Sequence, residues 1–525
     1  MDHKRADEEH WPLLAGQRPD DEERLSQKTD QTPESLAVGP SRCHKIHRAV
    51  VWTTKGLVLA GILVYLFAGV GRGMVETSLA PPPSETDFSA FHHGFELLPY
   101  PHDFDDPRVT CEIVNITDSA ALLKSLSFNL TTKADKIKVF ARGPIFGNVT
   151  LESGGTAGDD IEVDLKFKHY NPPKDEPSDE IGDKAMFARS RHPQGPLKVK
   201  VCPFYAPGGG YGALGIFAIH ECDHGSAAGD NKPRHHPGPP PPPPRRPHPP
   251  PGSPPLPPPQ SAIEASIAIR FPQPSALDRL EIHDFSTELA GFKHSIPNLD
   301  IAFTRLTLVG EVEAAGVGAT ELEVVNIFGG LKGNFSASSK LVLISSTGPI
   351  DVNVELWNVE SEEGLIEPTK MTIVADKSYI HANVSLLTYS SENTKPSYLV
   401  NAVASNGFAH LNFTSQPLGS ALGLETFSKD HPTSVYLHPA FEGRFAVNSV
   451  FYDPVIVAPD DTEDPYGEGR KRVVKLEKTW LPWTKKGSVE WVKESDAEGA
   501  GESTDVPLGT VKMTTVNAPA AMILG

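Results

Sequence analysis

From about residue 137 onward, apolar and polar residues alternate in short runs that break at glycine. In one such run Ile350, Val352 and Val354 fall on one side and Asp351, Asn353 and Glu355 on the other, the period-two pattern of a half-buried strand. Aligning the chain on Asn148, Asn334, Asn353, Asn383 and Asn412 superimposes the segments RGPIFGNVT, FGGLKGNFS, TGPIDVNVE, KSYIHANVS and NGFAHLNFT. Five positions before each asparagine stands Gly143, Gly329, Gly348, Ser378 or Gly407. Three before it stands Ile145, Leu331, Ile350, Ile380 or Ala409, and one after it Val149, Phe335, Val354, Val384 or Phe413. The unit reads as a strand that ends at a glycine, where positive φ is available for a tight turn, and a second strand whose asparagine points outward. From 334 to 412 the asparagines are spaced 19, 30 and 29 residues apart. Repeats of that length predict stacked units, and the expected fold is mainly β: a repetitive β-solenoid or β-sandwich.

The strand text ending in Ser346-Thr347-Gly348-Pro349-Ile350 and Ser405-Asn406-Gly407-Phe408 resembles the repeats of uncharacterised adhesin-head-like β domains. Such domains occur in bacteria and in single-pass fungal membrane proteins. The resemblance covers about residues 108–525 apart from a proline-rich insert, and its motifs are short. It implies an elongated β-rich surface domain, and the family offers no catalytic residues to carry over.

One segment is apolar enough to span a membrane. Its uncharged core, residues 56–71, is 16 residues, or about 24 Å as a helix. That is short of a hydrocarbon core of about 30 Å unless Lys55 and Arg72 reach the two interfaces. Arg42, Lys45, Arg48 and Lys55 precede it, while Glu76, Glu85 and Asp87 follow Arg72. The positive-inside rule then predicts a cytosolic N-terminus and an exterior part after about residue 75. Fifty-five preceding residues are far more than an ordinary signal-peptide n-region, so the segment (50–75) reads as an uncleaved signal-anchor. Residues 1–49 lack periodic apolar faces and read as a disordered tail. Within that tail Glu9, Leu13 and Leu14 have the spacing of an acidic dileucine sorting signal, and Cys43 lies where palmitoylation occurs. Six Asn-x-Ser/Thr sequons, at Asn115, Asn129, Asn148, Asn334, Asn383 and Asn412, all follow the membrane segment, as N-glycosylation requires. The final compartment is the plasma membrane and cell surface, or the vacuole and endosome.

Composition refines this picture in two places. Of 50 prolines, 17 sit in the 29 residues from 232 to 260, a polyproline II spacer or loop. The remaining segments are a stalk (76–107), a β-rich lobe (108–231) and a repetitive β-rich lobe (261–525), with an insertion in one continuous domain as the alternative. The net charge of −19 disfavours a nucleic-acid surface, where basic patches are expected.

The sharpest chemical motif is His220-Glu221-Cys222-Asp223-His224. In zinc peptidases the histidines of H-E-x-x-H share a helix face and the glutamate activates water. Here glycines and β-favouring residues precede it and the proline run follows, so a helix is not expected. Gly210, Gly212 and Gly215 match a dinucleotide fingerprint by letter but read as a turn. Cys111, Cys202 and Cys222 share the oxidising side, so one disulfide and one odd thiol are expected. A hairpin turning near Gly209 would put Cys202 opposite about residue 216, which argues against Cys202–Cys222. Arg470-Lys471-Arg472 resembles a processing site but reads as a charged strand edge, and Trp480, Trp483 and Trp491 read as part-buried rather than sugar-stacking. Together these readings predict a single-pass membrane glycoprotein that displays an adhesin-like β-repeat domain, without catalysis or cofactor, toward a polysaccharide or protein surface. The competing reading is a zinc-dependent peptidase using His220, Glu221 and His224.

Overall fold

The computed structural model describes residues 110–116, 124–155, 158–170, 197–205, 210–220, 262–273, 279–360, 367–389, 395–459, 462–493 and 508–525. Among these residues there are 24 strands and no helix. The first ten in chain order are β1 (Glu112–Ile116), β2 (Lys124–Thr131), β3 (Lys136–Arg142), β4 (Ile145–Gly155), β5 (Asp160–Tyr170), β6 (Leu197–Tyr205), β7 (Tyr211–His220), β8 (Ala262–Pro272), β9 (Leu280–Ile296) and β10 (Ile301–Asn326). The regular part follows: β11 (Leu331–Ser345), β12 (Ile350–Asn358), β13 (Thr369–Ala375), β14 (Ile380–Thr388), β15 (Ser397–Ala404), β16 (Ala409–Ser415), β17 (Ala421–Ser428) and β18 (Thr433–Leu437). Completing the order are β19 (Gly443–Ser449), β20 (Val455–Val457), β21 (Lys471–Glu477), β22 (Thr484–Val492), β23 (Gly509–Thr515) and β24 (Ala520–Leu524).

The regular part is a parallel coil. Its front sheet stacks β12, β14, β16 and β18 in parallel register, and its back sheet stacks β13, β15 and β17. β11 supplies both layers, pairing through Leu331–Ala337 with β12 and through Lys340–Ser345 with β13. Successive strands of each layer are parallel, so they are joined by crossovers to the other layer and not by hairpins. The alternation read from the sequence decides what is buried. Ile350, Ile380 and Ala409 form one inward column, Val352, Ala382 and Leu411 the next, and Val354, Val384 and Phe413 a third, all at most 3 % exposed. Each fully buried Ile or Val contributes about 1.5–3 kcal/mol, and stacking like on like repeats that gain at every rung.

Four-residue turns connect back strand to front strand, and they stack as well. Gly329, Gly348, Ser378 and Gly407 occupy equivalent places in these turns. Positive φ is found at Gly143 (+99°) and Gly329 (+102°), as expected, but not at Gly348 or Gly407. Those two are required by close approach instead. A Cβ on Gly348 would lie 1.4 Å from the Gly329 carbonyl oxygen, and one on Gly407 would lie 2.0 Å from that of Ser378.

The 26-residue β10 turns a full corner. Its Ile301–Val309 portion pairs with β9, its middle with the first part of β11, and Glu321–Asn326 with the second part. The bend at Gly310 (φ +146°) brings its backbone against the Phe292 carbonyl. Strands from both sides of the proline run are interleaved: β3 with β7 and β9, β4 with β8 and β9, and β5 with β8. One hydrophobic cluster extends from Val114 to Leu524. The flanks of the run therefore share one sheet system and one core.

Residues 509–525 do not extend the coil in chain order. β23 lies between β17 and β19, and β24 lies between β18 and β20. β22 and β21 then continue outward from β19 as an antiparallel pair.

Candidate ligand groove on the front sheet

The outward face of the front sheet carries three columns. Nearest the turns stand Pro349, Tyr379, Phe408, Pro432 and Pro519, whose carbonyls accept from or lie beside the first amide of the neighbouring rung. Two residues along come Lys332, Asp351, His381, His410 and Ser434, and two further Asn334, Asn353, Asn383, Asn412 and Tyr436. The register makes each column continuous, because rungs of a parallel sheet repeat about every 4.8 Å.

The asparagine column is a hydrogen-bonded ladder. Asn334 Nδ2 donates to the Ala315 carbonyl at 2.6 Å, Asn353 to Asn334 Oδ1 at 2.9 Å, Asn383 to Asn353 at 3.0 Å and Asn412 to Asn383 at 3.1 Å. Sequence alignment had set Asn148 in the same column, and here the structure differs. Asn148 pairs with Lys293, which pairs with Glu311, the residue before the Val312–Leu331 pair, so Asn148 stands level with Gly330, four residues short of the ladder. All six sequon asparagines nevertheless point outward: Asn115, Asn129, Asn148 and Asn334 are exposed, and Asn383 and Asn412 half-buried. Each Nδ2 carries two hydrogens, so one remains for a ladder bond if the other is replaced by a sugar.

A groove of about 640 Å³ opens where turns meet this face, lined by Asp351, Tyr379, His381, Phe408, His410 and His431 with Pro432 and Ser434. Tyr379 and Phe408 stack face to face, 4.7 Å between centroids and 3° between planes. Each ring thereby covers one face of the other. His381 Nδ1 lies 2.8 Å from Asp351 Oδ1, and His410 Nδ1 lies 2.8 Å from Ser434 Oγ. The two imidazoles are 5.2 Å apart, and His410 is 5.1 Å from the Tyr436 ring. Burial, with the neighbouring His381 adding to it, holds His410 below the usual imidazole range. These residues were visible in the aligned segments, two positions before each asparagine, as Asp351, His381 and His410. What was missing was the knowledge that aligned positions touch.

The other expected sites fare differently. His220 ends β7, where its backbone pairs with Leu197, so the first histidine of the H-E-x-x-H text belongs to a strand. In a strand neighbouring positions alternate faces, unlike the helix face on which such a motif places its first histidine. Glu221, Cys222 and His224 lie outside the described residues, as do Glu9, Leu13, Leu14, Cys43, the membrane segment, the stalk and the proline run. Among the described residues no helix is long and apolar enough to cross a membrane. Cys111 bonds Cys202, and Cys202 faces Gly215 in the β6–β7 hairpin, one position from the expected partner. Gly210 sits at the bend before β7, but Gly212 and Gly215 are strand residues, so the glycine fingerprint is a strand more than a turn. Arg470 anchors a loop through Asp464 (2.9 Å), and Lys471 begins β21, which pairs with β22 on one side, as a strand edge does. Trp491 is buried with its indole donating to the Pro439 carbonyl, while Trp480 is fully exposed and Trp483 is 42 % exposed.

No protein family matches the chain, and no curated protein does. A solved structure from Clostridium sporogenes, described in provisional terms as a cell adhesion protein, is similar at 8 % identity. It covers 80 % of this chain and 100 % of its own, with a TM-score of 0.13. A score that low carries no argument about fold or role.

Proposed function

We propose that the chain is a single-pass membrane glycoprotein, N-terminus cytosolic, whose exterior part displays the parallel coil for contact with a wall polysaccharide or a partner protein surface. The observation that carries this reading is the front face. The stacked rings of Tyr379 and Phe408, the imidazoles of His381 and His410 and the amides of Asn353, Asn383 and Asn412 recur at one rung spacing and offer a linear partner contacts at successive steps. The strand placement of His220 speaks against the peptidase reading. The outward sequon asparagines and the disulfide suit an exterior, oxidising compartment. The membrane anchor, the tail and the dileucine signal rest on the sequence.

Co-sedimentation of the purified protein with insoluble β-glucan, chitin and mannan, alongside adhesion to intact cells, tests the reading. Retention by one of these surfaces, reduced at least tenfold by Asn353→Arg on the exposed ladder, is the expected result. An absence of retention by every surface would remove the display function. Protease protection of intact microsomal membranes with glycosidase treatment tests orientation independently; digestion of the tail, protection of the part after about residue 75 and a glycosidase-dependent shift are expected.

A further inference from the structure

His381 and His410 hold the same position in β14 and β16, so the parallel register sets one imidazole over the other. Asp351 holds the equivalent place in β12 and Ser434 in β18. The four side chains thus form a file in which each histidine is bonded at Nδ1 by the neighbour on its outer side. A carboxylate oxygen accepts, so His381 carries its proton at Nδ1 and presents the Nε2 lone pair. Ser434 Oγ accepts equally well from His410 Nδ1 at 2.8 Å, which leaves that ring's Nε2 lone pair available too. Metal-binding histidines are held in this manner: the non-coordinating nitrogen is bonded to a carboxylate or another oxygen that fixes ring and tautomer. The spacing also agrees. Two imidazoles on one tetrahedral ion, with metal–nitrogen bonds of about 2.0–2.1 Å, have centroids about 5 Å apart, and here the separation is 5.2 Å.

Two further features bear on the same place. Both rings line the 640 Å³ groove, which an ion reaches from solvent, and His431 lines it from the adjoining turn. Among the described residues no three His, Cys, Asp or Glu side chains converge as a ready-made cage, so the pair is a partial site.

We infer that His381 and His410 form a two-histidine site for a divalent ion of the zinc, copper or nickel class, oriented by Asp351 and Ser434, with its remaining positions open. Imidazole ligands favour that class over calcium or magnesium, which take oxygen donors. The open positions would be filled by water, by His431 after a rotamer change, or by a donor atom of whatever occupies the groove. This inference stands on the file of side chains and does not require the display function.

The test is titration of the metal-free full-length protein with Zn²⁺ and Cu²⁺ by calorimetry. Histidines elsewhere in the chain bind metal as background, so the reading is a difference between variants. One equivalent is expected to disappear in His381→Ala plus His410→Ala, and affinity for that equivalent to fall 10–100-fold in Asp351→Asn. His220→Ala is expected to leave it intact. Because both rings also pack on neighbours, the His381→Gln plus His410→Gln protein is measured in parallel, with its melting temperature recorded with and without zinc. Zinc should raise the wild-type melting temperature by more than that of the variant. Equal stoichiometry in wild type and both double variants, or an equal zinc-induced shift, would overturn the inference.

Discussion

His294 is completely buried where β9 meets the middle of β10, and both ring nitrogens are engaged. Nδ1 lies 3.2 Å from the Glu311 carbonyl, which accepts, so the proton sits there and Nε2 accepts from the Thr287 hydroxyl at 2.9 Å. Burial pushes this imidazole down from its ordinary 6.5 to about 4. Between those values the unfolded chain binds a proton that the folded chain does not, so stability must fall as pH drops from about 6.5 to about 4. The full span is worth about 3 kcal/mol. Urea unfolding of His294→Gln between pH 4 and 7 should show a flatter pH dependence than wild type. An unchanged slope would mean that other groups carry the acid sensitivity. The repeat's glycines are legible in the text at the same scale, but for a partly wrong reason. Gly348 is needed because the Gly329 carbonyl of the preceding turn fills the space of a side chain, a contact between residues 19 apart in sequence.

At the scale of elements, the regular coils were the readable part. Period-two alternation marks β12, β14 and β16, and the aligned asparagines reproduce their true register over four rungs. Chain order alone does not give the last coil. β18 is followed in sequence by β19, yet β23 and β24 occupy the adjacent slots. Residues 509–525 therefore close both sheets at that level: Gly525 N donates to the Leu437 carbonyl, and Arg472 reaches the Gly525 carbonyl. Deleting residues 509–525 should detach β19–β22 while sparing the coils before it, since each coil is stabilised by its immediate neighbours. Limited proteolysis of the truncated protein is expected to cut within 443–492 and leave residues before about 437 protected. Uniform resistance along the chain would show that β19–β22 hold without the inserted rung.

At the scale of the molecule, the disulfide joins Cys111, the residue before β1, to Cys202 in β6 across 91 residues. Among the described residues β1 pairs with β6 alone, and β6 pairs in turn with β7. Loop-closure arithmetic for a link of that length gives about 4–5 kcal/mol, an upper value because the unfolded reference is model-dependent. Cys111→Ser plus Cys202→Ser should lower the melting temperature and open β1 first in hydrogen exchange, with the 350–437 coils protected as in wild type. Loss of protection beginning in those coils would contradict this hierarchy. The sequence narrowed the pairing, because a hairpin over 197–220 directs Cys202 away from Cys222, but three cysteines without distances allow no unique choice.

What the sequence determined by itself is the strand content, the inward and outward faces and the four-rung asparagine register. Each follows from local alternation and a glycine-marked period, which act within a few residues. Only the tertiary structure decided that both flanks of the proline run share one core, that Asn148 stands outside the ladder, and that β23 and β24 insert between earlier strands. The groove belongs to the same class. Asp351, His381, His410 and Ser434 are 83 residues from first to last in the chain, and it is the parallel register, a property of hydrogen bonds between distant segments, that makes them neighbours.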